Sequence, residues 1–235
     1  MRAFIRYASS IAVTLGTLAF WIGMAVARRS YPSEYDWRYM TISSLVYAER
    51  NPSGFLWARG GILLCGIAGM YWTAGLLWRC KRQRIPERPI GIWALGLGFL
   101  CMTCCALVPE HRFRVPRGHD FLALAAFVGI CVGAALLTLK VIEQSPGVRK
   151  LPGSPRLYAR MLAGFAVSPI LLAAVAQAYV SNALPALPWV SLEWRDRGVP
   201  VYLSFAFWEW VTCAVFSLYL LALSRATAPP AHLQI

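Results

Sequence analysis

The chain has 235 residues, 58% of them hydrophobic and 14% charged, with a formal net charge of +13. Soluble domains carry about one quarter charged residues, so this balance excludes a water-soluble fold. Its lysines and arginines fall in short segments between apolar stretches, where they meet anionic lipid headgroups, and no nucleic-acid partner is needed to explain them.

A stretch of about 20 apolar residues matches a hydrocarbon core of about 30 Å. Six such windows lie at roughly 4–27, 55–78, 90–109, 120–141, 158–180 and 201–224, and they use up nearly the whole chain. The expectation is an all-α, polytopic membrane helical bundle, a single transmembrane domain over 1–235 with external loops at 29–54, 110–119 and 181–200. The first window opens after Arg2 and carries Arg6. It ends in Ala25, Val26 and Ala27, a small-residue pattern of the kind that closes a signal peptide. Its apolar run from Tyr7 to Ala27 exceeds the roughly 7 to 15 residues of a signal core, which predicts a retained helix.

The connection 29–54 is long and mixes Tyr31, Tyr35, Trp37 and Tyr39 with charges, as in a segment lying at headgroup level. Within it, a short amphipathic helix is predicted over Met40 to Ala48, closed by Asn51 and Pro52, with Ser43 and Ser44 on it. Arg59 follows about one turn into the second window. In the third, Cys101, Cys104 and Cys105 recur at helical spacing; they are small apolar residues that let helices approach, in preference to soft-metal ligands. No cysteine falls in an external loop, so no structural disulfide is expected.

The short loop within EHRFRVPRGHD makes its two flanking helices antiparallel neighbours and can bring Glu110, His111, His119 and Asp120 together. Asp120 also sits where a helix start favours a carboxylate. In the third connection, Trp189, Glu193, Trp194, Arg195, Asp196 and Arg197 suggest interface anchoring, and Pro185, Pro188 and Pro200 suggest a shaped cover. Glu209, eight residues into the sixth window, would lie roughly 12 Å deep. A carboxylate there needs a partner, a proton or water, which makes it a functional-site candidate; the alternative is a structural Arg59–Glu209 pair.

With the N-terminus inside, thirteen basic residues, including all three lysines, lie on the cytoplasmic side against ten outside. Both termini are then cytoplasmic, in an inner or plasma membrane. Eight of the ten acidic residues, with His111 and His119, gather toward the external side.

The segments TISSLVYAERNPSG, GLGFLCMTCCALVPEHR and GHDFLALAAF resemble the prokaryotic family named domain of unknown function 998. More remotely, with Trp208, Glu209 and Trp210 as an acidic motif in a late helix, the chain resembles the Frag/DRAM/Sfk group of six-helix membrane proteins. The resemblance points to Ser43, His119 and Glu209. It departs at Ser44, which stands where the family has an acidic residue, and it implies lipid handling by analogy.

Two functional readings follow. In one, the chain binds lipid or supports assembly of a membrane complex through small residues such as Gly98, Ala126 and Ala173, with membrane lipids and other membrane subunits as its partners. In the other it is a lipid hydrolase or transferase in which Ser43 is activated by His119, oriented by Asp120, Glu110 or Glu209, or in which His111, His119 and Glu110 hold a divalent metal. The sequence requires no cofactor, and the absence of a Gly-rich phosphate loop argues against a nucleotide. A transporter is disfavoured, because no internal repeat and no matched pair of broken helices is present.

Overall fold

A computed structural model describes residues 2–82, 90–108, 118–144, 155–184 and 193–226. Its helices, in chain order, are α1 (Arg2–Arg29), α2 (Ile42–Val46), α3 (Phe55–Arg82), α4 (Ile90–Leu107), α5 (Gly118–Gln144), α6 (Pro155–Ala183), α7 (Glu193–Asp196) and α8 (Phe205–Ala226). No strand occurs among the described residues. Six of these helices are long and apolar enough to cross a membrane, as the sequence predicts. The protein is a multi-pass membrane helical bundle.

The outer surface states the same thing in side chains. On α1, Ile11, Leu15, Leu18 and Ile22 recur every three or four residues and are all more than half exposed, a continuous apolar stripe of the kind that suits a membrane interior. Inside, hydrophobicity cannot drive one apolar helix onto another in a bilayer, so close approach must supply the attraction. Two glycines show how it does so. A Cβ on Gly61 of α3 would lie 2.7 Å from the Ala19 carbonyl of α1, and one on Gly129 of α5 would lie 2.8 Å from the Gly98 Cα of α4. Larger residues there would force each pair of backbones apart. Deeper still, Tyr219 of α8 is hydrogen-bonded to the Thr138 hydroxyl of α5, and Thr138 donates onward to Ala134 O at 2.8 Å.

The connection after α1 packs against the bundle through its tyrosines. Tyr35, Tyr39 and Tyr47 are buried, and the segment folds over one end of the bundle as a cap. Its hydrogen bonds explain why. Tyr35 Oη donates to the carbonyls of Met40 and Thr41, both at 2.9 Å, and Trp210 Nε1 donates to Met40 O at 3.1 Å. Asn51 Nδ2 reaches back to Ala27 O at 3.0 Å, and Arg59 Nε donates to Val46 O at 3.0 Å. Within this frame the predicted amphipathic helix shrinks to the five residues of α2, because Tyr47 turns extended.

Trp194 is likewise buried rather than an interface anchor. It packs with Tyr39, Val180 and Val199 in a small cluster, where Tyr39 Oη donates to Val199 O at 2.7 Å. Burial among Met24, Met40 and Ile42 raises the Tyr35 phenol above its usual range. Asp36 is held below the usual carboxylate range, first by its side-chain bonds from Arg38, Nε to Oδ1 at 2.8 Å and Nη2 to Oδ2 at 2.9 Å. The sixth predicted window also divides: Val201–Leu203 form a 3-10 turn, and α8 begins only at Phe205.

Candidate functional site

Beneath the cap lies a cavity of about 130 Å³, walled by α1, α3, α4, α5 and α8 and roofed by α2. On the scale where one water needs roughly 10–15 Å³, this is room for something larger than a few waters. Ser43, His119 and Glu209, on α2, α5 and α8, all line it. These are the three residues picked out by the resemblance, drawn from positions up to 166 residues apart in the chain.

Helical period accounts for their setting. On α8, Glu209, Cys213 and Ser217 are four residues apart, so they form one stripe, with Phe216 and Leu220 below. On α5, His119 is followed on the same face by Ala123, Phe127 and Ile130. Both helices run from the cap end inward, so Glu209 and His119 stand near the roof while Leu220 and Ile130 stand at the floor. Eleven residues separate top from bottom on each helix, roughly 16 Å at 1.5 Å per residue. That is about half of a hydrocarbon core, the depth of one leaflet.

Glu209 lies four residues into α8, roughly 6 Å from its start, which is half the depth expected from the sequence, because the helix starts later. It does not pair with Arg59. Its Oε2 instead accepts the Ile42 backbone N–H at 3.0 Å, fastening the first residue of α2 to α8. The Arg59 guanidinium turns to Val46 O and stacks 5.2 Å above the Phe55 ring. The Ile42 N–H, at the first position of α2, has no acceptor within the helix and is met by the carboxylate.

Ser43 Oγ donates to Thr41 Oγ1 at 3.1 Å, so its hydroxyl is held within the roof rather than by His119. His119 is buried, its ring 5.3 Å from that of Tyr47. Asp120 occupies the first turn of α5, where a carboxylate suits the helix dipole; its side chain is exposed and is not part of the cavity wall. It therefore does not orient His119 from inside the site. Glu110 and His111 lie outside the described residues, and with them two of the three proposed metal ligands. The seven cysteines are free thiols, three of which, Cys65, Cys105 and Cys213, line the cavity.

Several wall residues escape a reading based on charge alone. Trp21 Nε1 donates to Ser217 Oγ at 2.9 Å, and the Trp21 ring lies 6.1 Å from Trp210. These two tryptophans, with Tyr35, Trp37 and Arg28, line a second hollow between α1 and α8, on the far side of that wall. The four-residue spacing of Glu209, Cys213 and Ser217 was the available signal for the inner face. Comparisons with family models, curated proteins and solved structures give no match to this chain.

Proposed function

We propose that this membrane protein binds a lipid inside its bundle, with the polar end of the lipid beneath α2 and a hydrocarbon chain reaching toward Leu220 and Ile130. The observation that carries this is the polarity gradient of one cavity: Ser43, His119 and Glu209 at the roof, and mostly aromatic and aliphatic side chains below, with thiols and the hydroxyls of Thr17 and Ser217 among them, over the depth of one leaflet. In this reading, with the N-terminus inside as the basic residues suggest, the roof faces the external side of an inner or plasma membrane. The resemblance read from the sequence, through Ser43, His119 and Glu209, would imply lipid as the ligand by analogy.

A purely assembly-supporting role has less behind it. Gly98, which could mediate contact with another subunit, is already packed on Gly129 within the chain, and Ala126, Ala173 and Ala176 are buried. The enzyme reading has one observation in its favour, the meeting of Ser43, His119 and Glu209 on one cavity. Acyl or glycosyl transfer from Ser43 would require its hydroxyl to leave Thr41 and turn to His119.

The test is native mass spectrometry and lipid extraction of the purified wild type beside Ala123→Phe, which fills the cavity from α5. One lipid per chain in the wild type and none in the filled variant supports the reading. Equal lipid in both, or none in either, refutes it. Incubation of the same samples with native lipid extract reads turnover, and loss of product in Ser43→Ala would favour the enzyme.

A further inference from the structure

The hollow between α1 and α8 shares no described wall residue with the inner cavity, and we infer that it is a second lipid site: it binds an anionic glycerophospholipid, with the phosphate on Arg28 and one acyl chain along the groove. The hollow holds about 410 Å³, against about 130 Å³ for the inner cavity. Trp21, Ala25 and Arg28 follow one face of α1 at spacings of four and three residues, and Trp210 and Ala214 follow one face of α8 at a spacing of four. Trp21 Nε1 is bonded to Ser217 Oγ and Trp210 Nε1 to Met40 O, so these indoles bring apolar ring surface to the hollow. Ala25 and Ala214 are small, which leaves room beside the rings.

The groove runs on along the bundle. One turn from Trp21 and Ala214 stand Leu18 and Leu218, 52% and 72% exposed. Leu18 to Arg28 is ten residues, roughly 15 Å at 1.5 Å per residue, which matches a chain in one leaflet. A cation thus stands at one end of an apolar trough of leaflet depth, as the complement of a lipid with an anionic head.

Two observations set that charge at the mouth. Arg28 lies in the last turn of α1, and the cap residues Tyr35 and Trp37 line the same end of the hollow. Burial, the largest influence, raises the Tyr35 phenol, while the Arg28 guanidinium acts in the opposite direction, as a positive charge near that hydroxyl does. Asp36, between Tyr35 and Trp37, is already held by two bonds from Arg38. A guanidinium takes a phosphodiester through paired N–H···O bonds, and a net negative head adds an attraction that a zwitterionic head, carrying its own cation, offsets.

Because Ala25, Leu18 and Leu218 are exposed, the hollow opens sideways to the bilayer and exchanges its lipid with detergent, so occupancy is measured by adding lipid back. The test uses full-length wild type and Ala123→Phe, whose inner cavity is filled. Dioleoyl phosphatidylglycerol, dioleoyl phosphatidylcholine and the chainless head glycerophosphoglycerol are titrated in neutral detergent and counted by native mass spectrometry. In both proteins phosphatidylglycerol is expected to bind at least about tenfold more tightly than phosphatidylcholine, as for one hydrogen bond between charged groups, and the chainless head is expected not to bind. Arg28 is exposed at a helix end, so Arg28→Gln leaves the packing intact; it should lower phosphatidylglycerol affinity about tenfold, to the level of phosphatidylcholine. Ala214→Phe and, independently, Ala25→Phe fill the hollow and should remove both lipids.

Equal affinity for the two lipids, or an unchanged preference in Arg28→Gln, overturns the assignment of the phosphate to Arg28. The chainless head binding as tightly as the lipid, or full lipid binding in both filled variants, overturns the groove as the seat of the chain. Loss of the added phosphatidylglycerol in Ala123→Phe alone would assign it to the inner cavity and overturn the second site.

Discussion

Replacing Glu209 with leucine tests whether one carboxylate holds the roof of the cavity in place. The wild-type carboxylate accepts the Ile42 N–H at 3.0 Å across 167 residues of sequence, and Trp210 on the next position of α8 accounts for a further bond to Met40 O. Leucine removes the first bond and leaves the Ile42 N–H without a partner, at a cost of about 1.5–3 kcal/mol for a buried donor left unsatisfied. The docked state of α2 loses that amount relative to a state in which the roof has lifted. At 1.4 kcal/mol per decade, the lifted population rises roughly 10- to 150-fold.

The chain carries its own reporters for this, because Cys65, Cys105 and Cys213 line the cavity under α2. When opening and closing are fast relative to alkylation, the labelling rate follows the open population. N-ethylmaleimide labelling, resolved by mass spectrometry for each cysteine, should therefore accelerate by about 30-fold at Cys213 in Glu209→Leu and change little in Glu209→Gln, which retains a carbonyl acceptor. Equal rates in wild type and Glu209→Leu would refute the claim that this bond fastens the roof. Equal acceleration in the glutamine variant would show that the charge, and not the acceptor, matters.

Two other predictions concern the frame around the site. Gly129→Ala should destabilise the α4–α5 contact by about 1–3 kcal/mol, since its Cβ would lie 2.8 Å from the Gly98 Cα; Gly164→Ala on α6, where a Cβ meets nothing within 4 Å, should be neutral or stabilising by up to about 1 kcal/mol. Thermal unfolding in detergent distinguishes them, and equal loss in both would contradict the packing account. For Asp36, whose carboxyl is held low by Arg38, the folded pKa lies below the unfolded one, so its contribution is complete above the unfolded value near pH 4 and disappears as pH falls through the folded value. Asp36→Asn should lower stability at neutral pH and flatten the acid limb of the stability curve; an acid limb as steep as that of wild type would show that the Arg38 pair contributes nothing.

How much of the site was legible depends on which residues are considered. Glu209 stood out because a carboxylate in an apolar window is costly wherever it points, and His119 and Ser43 followed from a resemblance. Their convergence was hidden, because it depends on how α2 folds back between α1 and α3, and nothing local in TISSLVYAERNPSG encodes that. Arg59 illustrates the limit: its position one turn into α3 allowed a pair with Glu209, but the unsatisfied Ile42 amide took the carboxylate first. Tyr35, Tyr39 and Trp194 carry the amphipathic chemistry of interface anchors, and only the docking of the cap decides that their hydroxyls and rings turn inward.

The number of membrane-spanning helices was determined by sequence alone, because the backbone has no partner in hydrocarbon except itself and each apolar window must close its own hydrogen bonds. The cavity was a decision of the tertiary structure. Its walls come from helices α1, α3, α4, α5 and α8, and its roof is fastened across the chain by bonds such as that between an amide and a carboxylate 167 residues apart. Helical period fixes which side chains share a face, but it carries no information about which faces meet.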